Sequence, residues 1–371
     1  MIARVGIKTV PRNVVLSNYG SFFQHYALRK VLRQLGFRPY RVERSSWRDE
    51  FLMWMLPIRI LRVWVLSWFG RKDFRGWNGV SRLAMRMKFI LDYWRMIGAL
   101  FEDQGGAFAY VAGGDSVWYG CDRDAFLMDV EGKKIAYAAS AAWDWGADKT
   151  EWRSLAREAL AGYSAVGVRE TAGMMALKLI DAEIAPHVVV DPVMLLTVEE
   201  WRQLVGHRCI FSRPTILYYV VNAHTCHEIN IDAVKECAVR LNCDLACVGV
   251  QGAEAVLPRG VRRSPSPSSF LSMMSAAKYV VTNSFHGIVF SLMFNKPFAF
   301  LRQGAVTRGD ANLRQKELLG RFDLCDRDLG TRPTAEKLVS ALSYPMDMAS
   351  LNEKLTSERS RCLEWLGASL K

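Results

Sequence analysis

His286 sits in the run Asn283-Ser284-Phe285-His286-Gly287, after the apolar stretch 278–282 and before a helical pattern over 288–294. A residue at such a junction projects from a strand end. The first backbone N–H groups of the next helix, at Gly287 and Ile288, lie beside it without intrahelical partners. An imidazole there can move a proton at neutral pH, and the helix start can receive an anion such as phosphate. The bland alternative is a core histidine bonded to a neighbour.

Other strand ends carry similar candidates. Arg169 closes the apolar run 165–168. Its guanidinium can grip carboxylate or phosphate with two prongs, or pair with Glu170 or another acid. Arg308 and Arg314 lie in and just after the polar loop 302–310, as further anion contacts or as solvated loop. Asp115 follows Gly113-Gly114 and can accept a proton or cap the next segment. Asn18, Tyr19, Gly20 and Ser21 form the turn before the first helical pattern. Gly20 permits close backbone approach, and Asn18 or Ser21 can hold a hydroxyl or cap the helix.

Alternating elements must position these turns. A strand is expected at 14–17, a helix at 22–35 and a strand at 37–42, with no GxGxxG between them, so dinucleotide binding is unsupported. Strands follow at 107–112, 133–138, 165–168 and 187–190, with helices at 152–161 and 174–180. The alternation resumes with strands at 215–221, 244–250, 278–282 and 297–300. This pattern predicts parallel α/β sheets. The expected organisation is two Rossmann-like domains facing a cleft, where ligands bind at the strand C-terminal ends. The first domain covers 1–192 and carries a helical basic insertion over about 47–100. A linker begins at Pro192, the second domain covers 193–345, and a helix over 346–371 returns to the first.

The chain has 371 residues and a net charge of +12. Residues 1–100 hold 19 Lys/Arg against 5 Asp/Glu, so the whole excess lies there, with six of the twelve Trp. Interleaved Trp and Arg suit a membrane–water interface. The stretch 51–69 is apolar, but Arg59 and Arg62 near its middle would each cost about 2.5–3.5 kcal/mol at a bilayer centre. A span is rejected. A helix lying on the membrane or one lying on the first domain remains. The N-terminus lacks a secretory signal pattern, and the eight Cys form no CxxC pair, so a cytoplasmic protein with reduced thiols is expected. The His224, Cys226, His227 spacing matches no usual metal-ligand pattern, and no nucleic-acid-binding motif is present. Neither a metal nor nucleic acid is expected.

Seven segments in order, SNYGSFFQHYAL, AGGDSVWYG, KIAYAAS, VGVRE, VVVDPVMLL, VVTNSFHGIVFSLMFNKPF and RGDANLRQKELLGRFDLCDR, resemble the polysaccharide pyruvyl transferase family. The resemblance implies a GT-B-like fold. It also implies transfer of a pyruvyl group from phosphoenolpyruvate to a sugar on a lipid-linked or cell-surface glycan, as a ketal. No cofactor beyond this co-substrate is implied. In these terms His286 is the acid and Asp115 the base. Arg169, Ser284, Gly287, Arg308 and Arg314 hold the donor, and residues 18–21 hold the acceptor. Two departures stand out. Ser284 occupies a position where such proteins often carry Arg, and no His follows the strand 135–138. Residues 47–95 would rest on the inner face of the membrane. A GT-B glycosyltransferase using a nucleotide sugar and a non-catalytic member docking on a membrane glycan-assembly complex are the alternative functions.

Overall fold

The computed structural model describes residues 2–10, 15, 17–42, 55, 58, 74–98, 106–119, 121–141, 150–181, 183–205, 210–304 and 310–371, with side chains of the helix at 74 from residue 84 onward. Two fully parallel sheets form its frame. The first contains β1 (Arg4–Lys8), β2 (Arg38–Arg41), β3 (Ala109–Gly114), β4 (Lys133–Ala139), β5 (Tyr163–Val168) and β6 (His187–Val188), in the order β2-β1-β3-β4-β5-β6. The second contains β7 (Thr215–Val221), β8 (Asp244–Val250), β9 (Arg262–Arg263), β10 (Tyr279–Thr282) and β11 (Phe298–Phe300), in the order β11-β10-β7-β8-β9. Every residue of β3 and of β7 is buried, as expected for strands covered on both faces by crossover helices. These two parallel α/β sheets are the layout expected from the sequence.

The helices are α1 (Tyr19–Gln34), α2 (Phe74–Met96), α3 (Thr150–Leu160), α4 (Thr171–Ile180), α5 (Val198–Arg202), α6 (Ile231–Arg240), α7 (Ala253–Val256), α8 (Pro267–Ala276), α9 (Phe285–Met293), α10 (Leu313–Arg321), α11 (Ala335–Ser343) and α12 (Met348–Leu370). Strand order reverses between β1 and β3 in the first sheet and between β10 and β7 in the second. Parallel sheets open a crevice at such points, outside the strand C-termini. The α1 start and Asp115 lie at the first reversal, and His286 lies at the second.

Three readings need correction. The first strand is Arg4–Lys8, not 14–17, where Val15 and Ser17 lie outside any strand. Its short core VGI sits between two basic residues and gives little alternation to read. The linker expected from Pro192 carries secondary structure of its own. Pro192–Leu195 is a buried 3-10 turn capped by Asp191, whose side chain accepts from Val193 N–H. Helix α9 starts at Phe285 rather than at 288, so His286 stands inside its first turn.

Much of the seam between the sheets is filled. Tyr19 stacks on Phe270 at 4.2 Å, Phe23 meets Phe290 edge-on at 5.1 Å, and Trp201 meets Phe290 at 5.6 Å. The Tyr19 hydroxyl donates to Pro265 O at 2.8 Å. Helix α2 bridges both halves. Phe89 packs on Tyr19, Asp92 accepts from Ser268 N–H and Lys88 donates to Ser264 O. Helix α12 lies on the first sheet, with Trp365 over Gly167 and Cys362 Sγ accepting from Val190 N–H. A side chain at Gly167 would start 2.8 Å from that indole, so this close approach requires glycine. Among the described residues no helix is long and apolar enough to cross a membrane. The stretch 51–69 lies outside the described residues except Met55 and Ile58.

Candidate active site

Arg169 leaves β5 into a ring of carboxylates. Its Nε donates to Glu170 Oε1 at 2.7 Å, Nη1 to Asp191 Oδ2 at 3.1 Å, and Nη2 to Asp115 Oδ1 at 2.8 Å and Ser140 Oγ at 3.1 Å. Only 2% of the side chain is exposed. Its face lies over the Phe285 ring at 4.2 Å, an arrangement favourable to a buried cation. The local backbone explains the convergence. A Cβ at Gly113 would collide with Tyr137 O, Gly114 has φ +105, and Ala138 has φ +51 beside a register shift between β3 and β4. Bulges of this kind re-aim side chains at strand ends, here Asp115 and Ser140.

Arg314 reaches across from α10 and pairs with the same oxygen of Asp115. Burial alone would raise the Asp115 carboxyl, but Arg314 and Arg169 outweigh it and drive it far below the carboxylate range. Burial would also raise Asp191, and His286 with Arg169 outweighs it and lowers that carboxyl. Glu170 goes the other way. Burial outweighs Arg169, Arg314 and Ser140, and the carboxyl is raised.

His286 is buried. Its Nε2 stands 3.5 Å from Asp191 Oδ2, with no closer partner among the described residues. The other side of the ring lies on Gly20, where a Cβ would come within 2.1 Å of Nδ1. Gln24 ties the cluster together. Its amide nitrogen donates to Asp191 and its oxygen accepts from Asp115 N–H at 2.9 Å. Gly287 approaches Thr282 too closely for any side chain, and Ser284 is the buried N-cap of α9, without a side-chain cap bond.

Beside this cluster is a cavity of about 500 Å³ in the seam, lined by Arg169, Glu170, Phe285, Arg314, Arg321 and Arg361, among others. Glu317 from α10 closes one side. It accepts from Thr171 N–H at 2.6 Å and Ala172 N–H at 3.1 Å, at the start of α4. Arg321 and Arg361 both pair with Glu358. A larger hollow of about 710 Å³ lies apart from this site, between the segment after α10, α11 and the start of α12.

The structure therefore brings Asp115, Arg169, His286 and Arg314 together, with Gly20 against the imidazole. In the first turn Asn18 caps α1 through Ser21 N–H, while Tyr19 and Ser21 are buried. Arg308 lies outside the described residues. The pairing of Arg169 with Glu170, the alternative weighed for it, is present together with its two further carboxylates. Sequence reasoning gave no role to Gln24, Ser140, Asp191 or Glu317. Ser140 and Asp191 follow apolar runs just as Arg169 does, and that signal was available. Gln24 and Glu317 sit mid-helix, where nothing local marks them.

Two parallel α/β domains whose strand-order reversals converge on one charged cluster define the class of protein. In sequence the chain matches the polysaccharide pyruvyl transferase model over residues 18–303, well over half its length, and it belongs to that family. Membership makes it a transferase and implies a glycan acceptor. No curated protein matches significantly. Similar solved structures include the S. aureus MnaA–UDP complex, at 12% identity and TM-score 0.47, covering 96% of this chain and 91% of that one. UDP-GlcNAc 2-epimerase from Methanocaldococcus jannaschii is similar at 12% identity and TM-score 0.46, covering 98% and 99%. Acinetobacter baumannii MurG is similar at 12% identity and TM-score 0.42, covering 99% and 98%.

Proposed function

We propose that the protein transfers a pyruvyl group from phosphoenolpyruvate to hydroxyls of a sugar on a lipid-linked or cell-surface glycan, forming a cyclic ketal and releasing phosphate. The observation that best supports this is the seam cavity with guanidiniums on several sides, next to the His286–Asp191 pair. Phosphoenolpyruvate carries a phosphate and a carboxylate, and guanidinium forks suit both. Arg314 is the assigned donor contact, because it lines the cavity and is held there by Asp115 alone among the described carboxylates. Arg169, Gly287 and Ser284 complete the donor side. The N–H groups at the α9 start and the guanidiniums would stabilise charge in place of a metal. The ring of carboxylates already occupies Arg169, so that residue chiefly holds the cluster together.

In this reading the enol methylene takes a proton, a sugar hydroxyl attacks the resulting oxocarbenium-like carbon, phosphate leaves, and a second hydroxyl closes the ketal. His286, held between Gly20 and Asp191, exchanges protons with the reacting groups. Asp115 is a weak base while two guanidiniums hold it. The turn 18–21 receives the acceptor, chiefly through the partly exposed Asn18. Helix α2 presents Leu91 and Trp94 outward beside Lys88 and Arg95. With the basic excess of residues 1–100, this supports a position on the inner, anionic face of a membrane near a lipid-linked acceptor.

The test is phosphate release from phosphoenolpyruvate by purified protein supplied with a pool of lipid-linked glycans, with His286→Ala alongside. Thermal shift then compares phosphoenolpyruvate with nucleotide sugars, because a ligand that binds only the folded state stabilises it. Stabilisation by nucleotide sugars alone, with no phosphate released, would reject the proposal.

A further inference from the structure

The guanidiniums that line the seam cavity are graded in depth. The side chain of Arg169 is 2% exposed, that of Arg314 11%, that of Arg321 22% and that of Arg361 47%. The cavity therefore runs from the buried carboxylate ring out to a rim at α12, where Arg361 sits. Its inner end is the donor side proposed above. The outer pair, Arg321 from α10 and Arg361 from α12, has no part in that reaction.

Partnering sets the two ends apart. At the inner end Arg169 bonds three carboxylates, and Arg314 shares Asp115 with it. At the outer end Arg321 and Arg361 both meet a single oxygen, Glu358 Oε2, and neither has another carboxylate among the described ion pairs. The acids that line the cavity are committed elsewhere. Glu170 accepts from Arg169 and Ser140, and Glu317 from the N–H groups of Thr171 and Ala172. Two guanidiniums on one carboxylate leave the rim with a net positive charge. Arg361 makes its bonds, to Glu358 at 2.7 Å and to Val188 O at 2.9 Å, through Nη2 alone. Its Nε and Nη1 hydrogens are left for an oxyanion, which a guanidinium binds strongly.

Spacing decides whose oxyanion that is. Arg314 and Arg321 stand seven positions apart on α10, about 10.5 Å of helical rise. Phosphoenolpyruvate bears its phosphate oxygen and its carboxylate on one carbon, so its acidic groups lie side by side. A donor held by Arg314 leaves the outer pair unfilled. The cavity, at about 500 Å³, is in the range that takes a drug-sized ligand and exceeds what a three-carbon donor needs.

We infer that Arg321 and Arg361 form a second anion subsite at the cavity rim, which takes a phosphate or carboxylate group carried by the glycan acceptor. The choice of ligand rests on the reaction proposed above. The acceptor is then an acidic glycan, and the two substrates occupy opposite ends of one cavity. Glu358 aligns the two guanidiniums and competes with the incoming anion for them.

Inorganic phosphate is the probe, titrated calorimetrically into protein saturated with phosphoenolpyruvate, so that the inner end is filled. The wild type should still bind it. Arg361→Gln should weaken that binding about tenfold, the loss of one charge-assisted hydrogen bond. The Arg361 side chain is half exposed, and exposed ion pairs contribute little to stability, so this variant should fold. Glu358→Gln removes the competing charge and should tighten phosphate binding severalfold, a gain that a purely structural ion pair would not give. Equal phosphate affinity in wild type and Arg361→Gln, or loss of phosphate binding once phosphoenolpyruvate is added, overturns the subsite. Turnover then tells the two acidic groups apart. A KM for a lipid-linked diphosphate glycan raised about tenfold in Arg361→Gln, with KM for phosphoenolpyruvate changed less than about twofold, assigns phosphate. The same shift confined to glycans that bear a carboxylate assigns a sugar acid, and an unchanged KM for both overturns the acceptor assignment. A wild type that does not bind phosphoenolpyruvate rejects the donor reading, whereas phosphate binding that depends on Arg361 would still uphold the subsite.

Discussion

Adding one methyl group at Gly20 tests the placement of the imidazole. The Cβ of Gly20→Ala would stand 2.1 Å from His286 Nδ1 and 2.5 Å from Cε1 and Cγ, whereas ordinary contact begins at 3.4 Å. The ring must move by about 1.3 Å, the difference between 3.4 and 2.1 Å, or α1 must back away from α9. The 3.5 Å approach to Asp191 then fails. Overpacking of this kind costs about 1–3 kcal/mol. Helix propensity returns up to about 1 kcal/mol, since alanine outranks glycine there. The net stability loss is therefore about 1 kcal/mol. A catalytic group displaced by an ångström can lose about 100-fold in rate. Phosphate release and urea unfolding read the two effects separately. A double-mutant cycle makes the argument strict. In a His286→Ala background the methyl has room, so Gly20→Ala should be neutral or stabilising, with a coupling of about 1–3 kcal/mol. Strict additivity, or full activity in Gly20→Ala, would show that the imidazole does not lie against α1.

Three other outcomes follow from the same geometry. Arg314→Ala leaves Asp115 buried with one guanidinium and should cost about 3 kcal/mol in denaturant unfolding. Because the folded Asp115 value is depressed, its contribution is present above the unfolded value and lost as pH falls through the folded one. The variant's folded value lies higher, so its acid-unfolding midpoint should move to higher pH; an unmoved midpoint would contradict the pairing. Glu317→Ala exposes the first N–H groups of α4 and should cost about 1 kcal/mol, as loss of an N-cap does, measurable by urea unfolding. Trp94→Ser with Arg95→Glu should weaken sedimentation with anionic vesicles, and wild-type binding should decline with salt; equal binding by both proteins would remove the membrane from the proposal.

Much of the frame could be read from the sequence, because most of the longer parallel strands are short apolar runs ended by a polar turn. His286, Arg169 and Asp115 stood out for that reason, and they do converge. Arg4–Lys8 was missed because basic residues bracket its apolar centre. What the sequence hid was how the charges are partnered. Arg314 and Asp115 lie 199 positions apart, and Gln24 reaches Asp191 from the middle of a helix. Such pairings depend on how two sheets are rotated against each other, which no local pattern encodes. The expectation of a cleft likewise gave no sign that Phe23, Phe270 and Phe290 fill part of the seam.

That aromatic filling limits how the molecule can work. A hinge that swung the lobes wide would strip Tyr19 from Phe270 and Phe23 from Phe290 and wet a large greasy surface on every turnover. Heating should accordingly melt both halves in one calorimetric peak, despite their separate sheets.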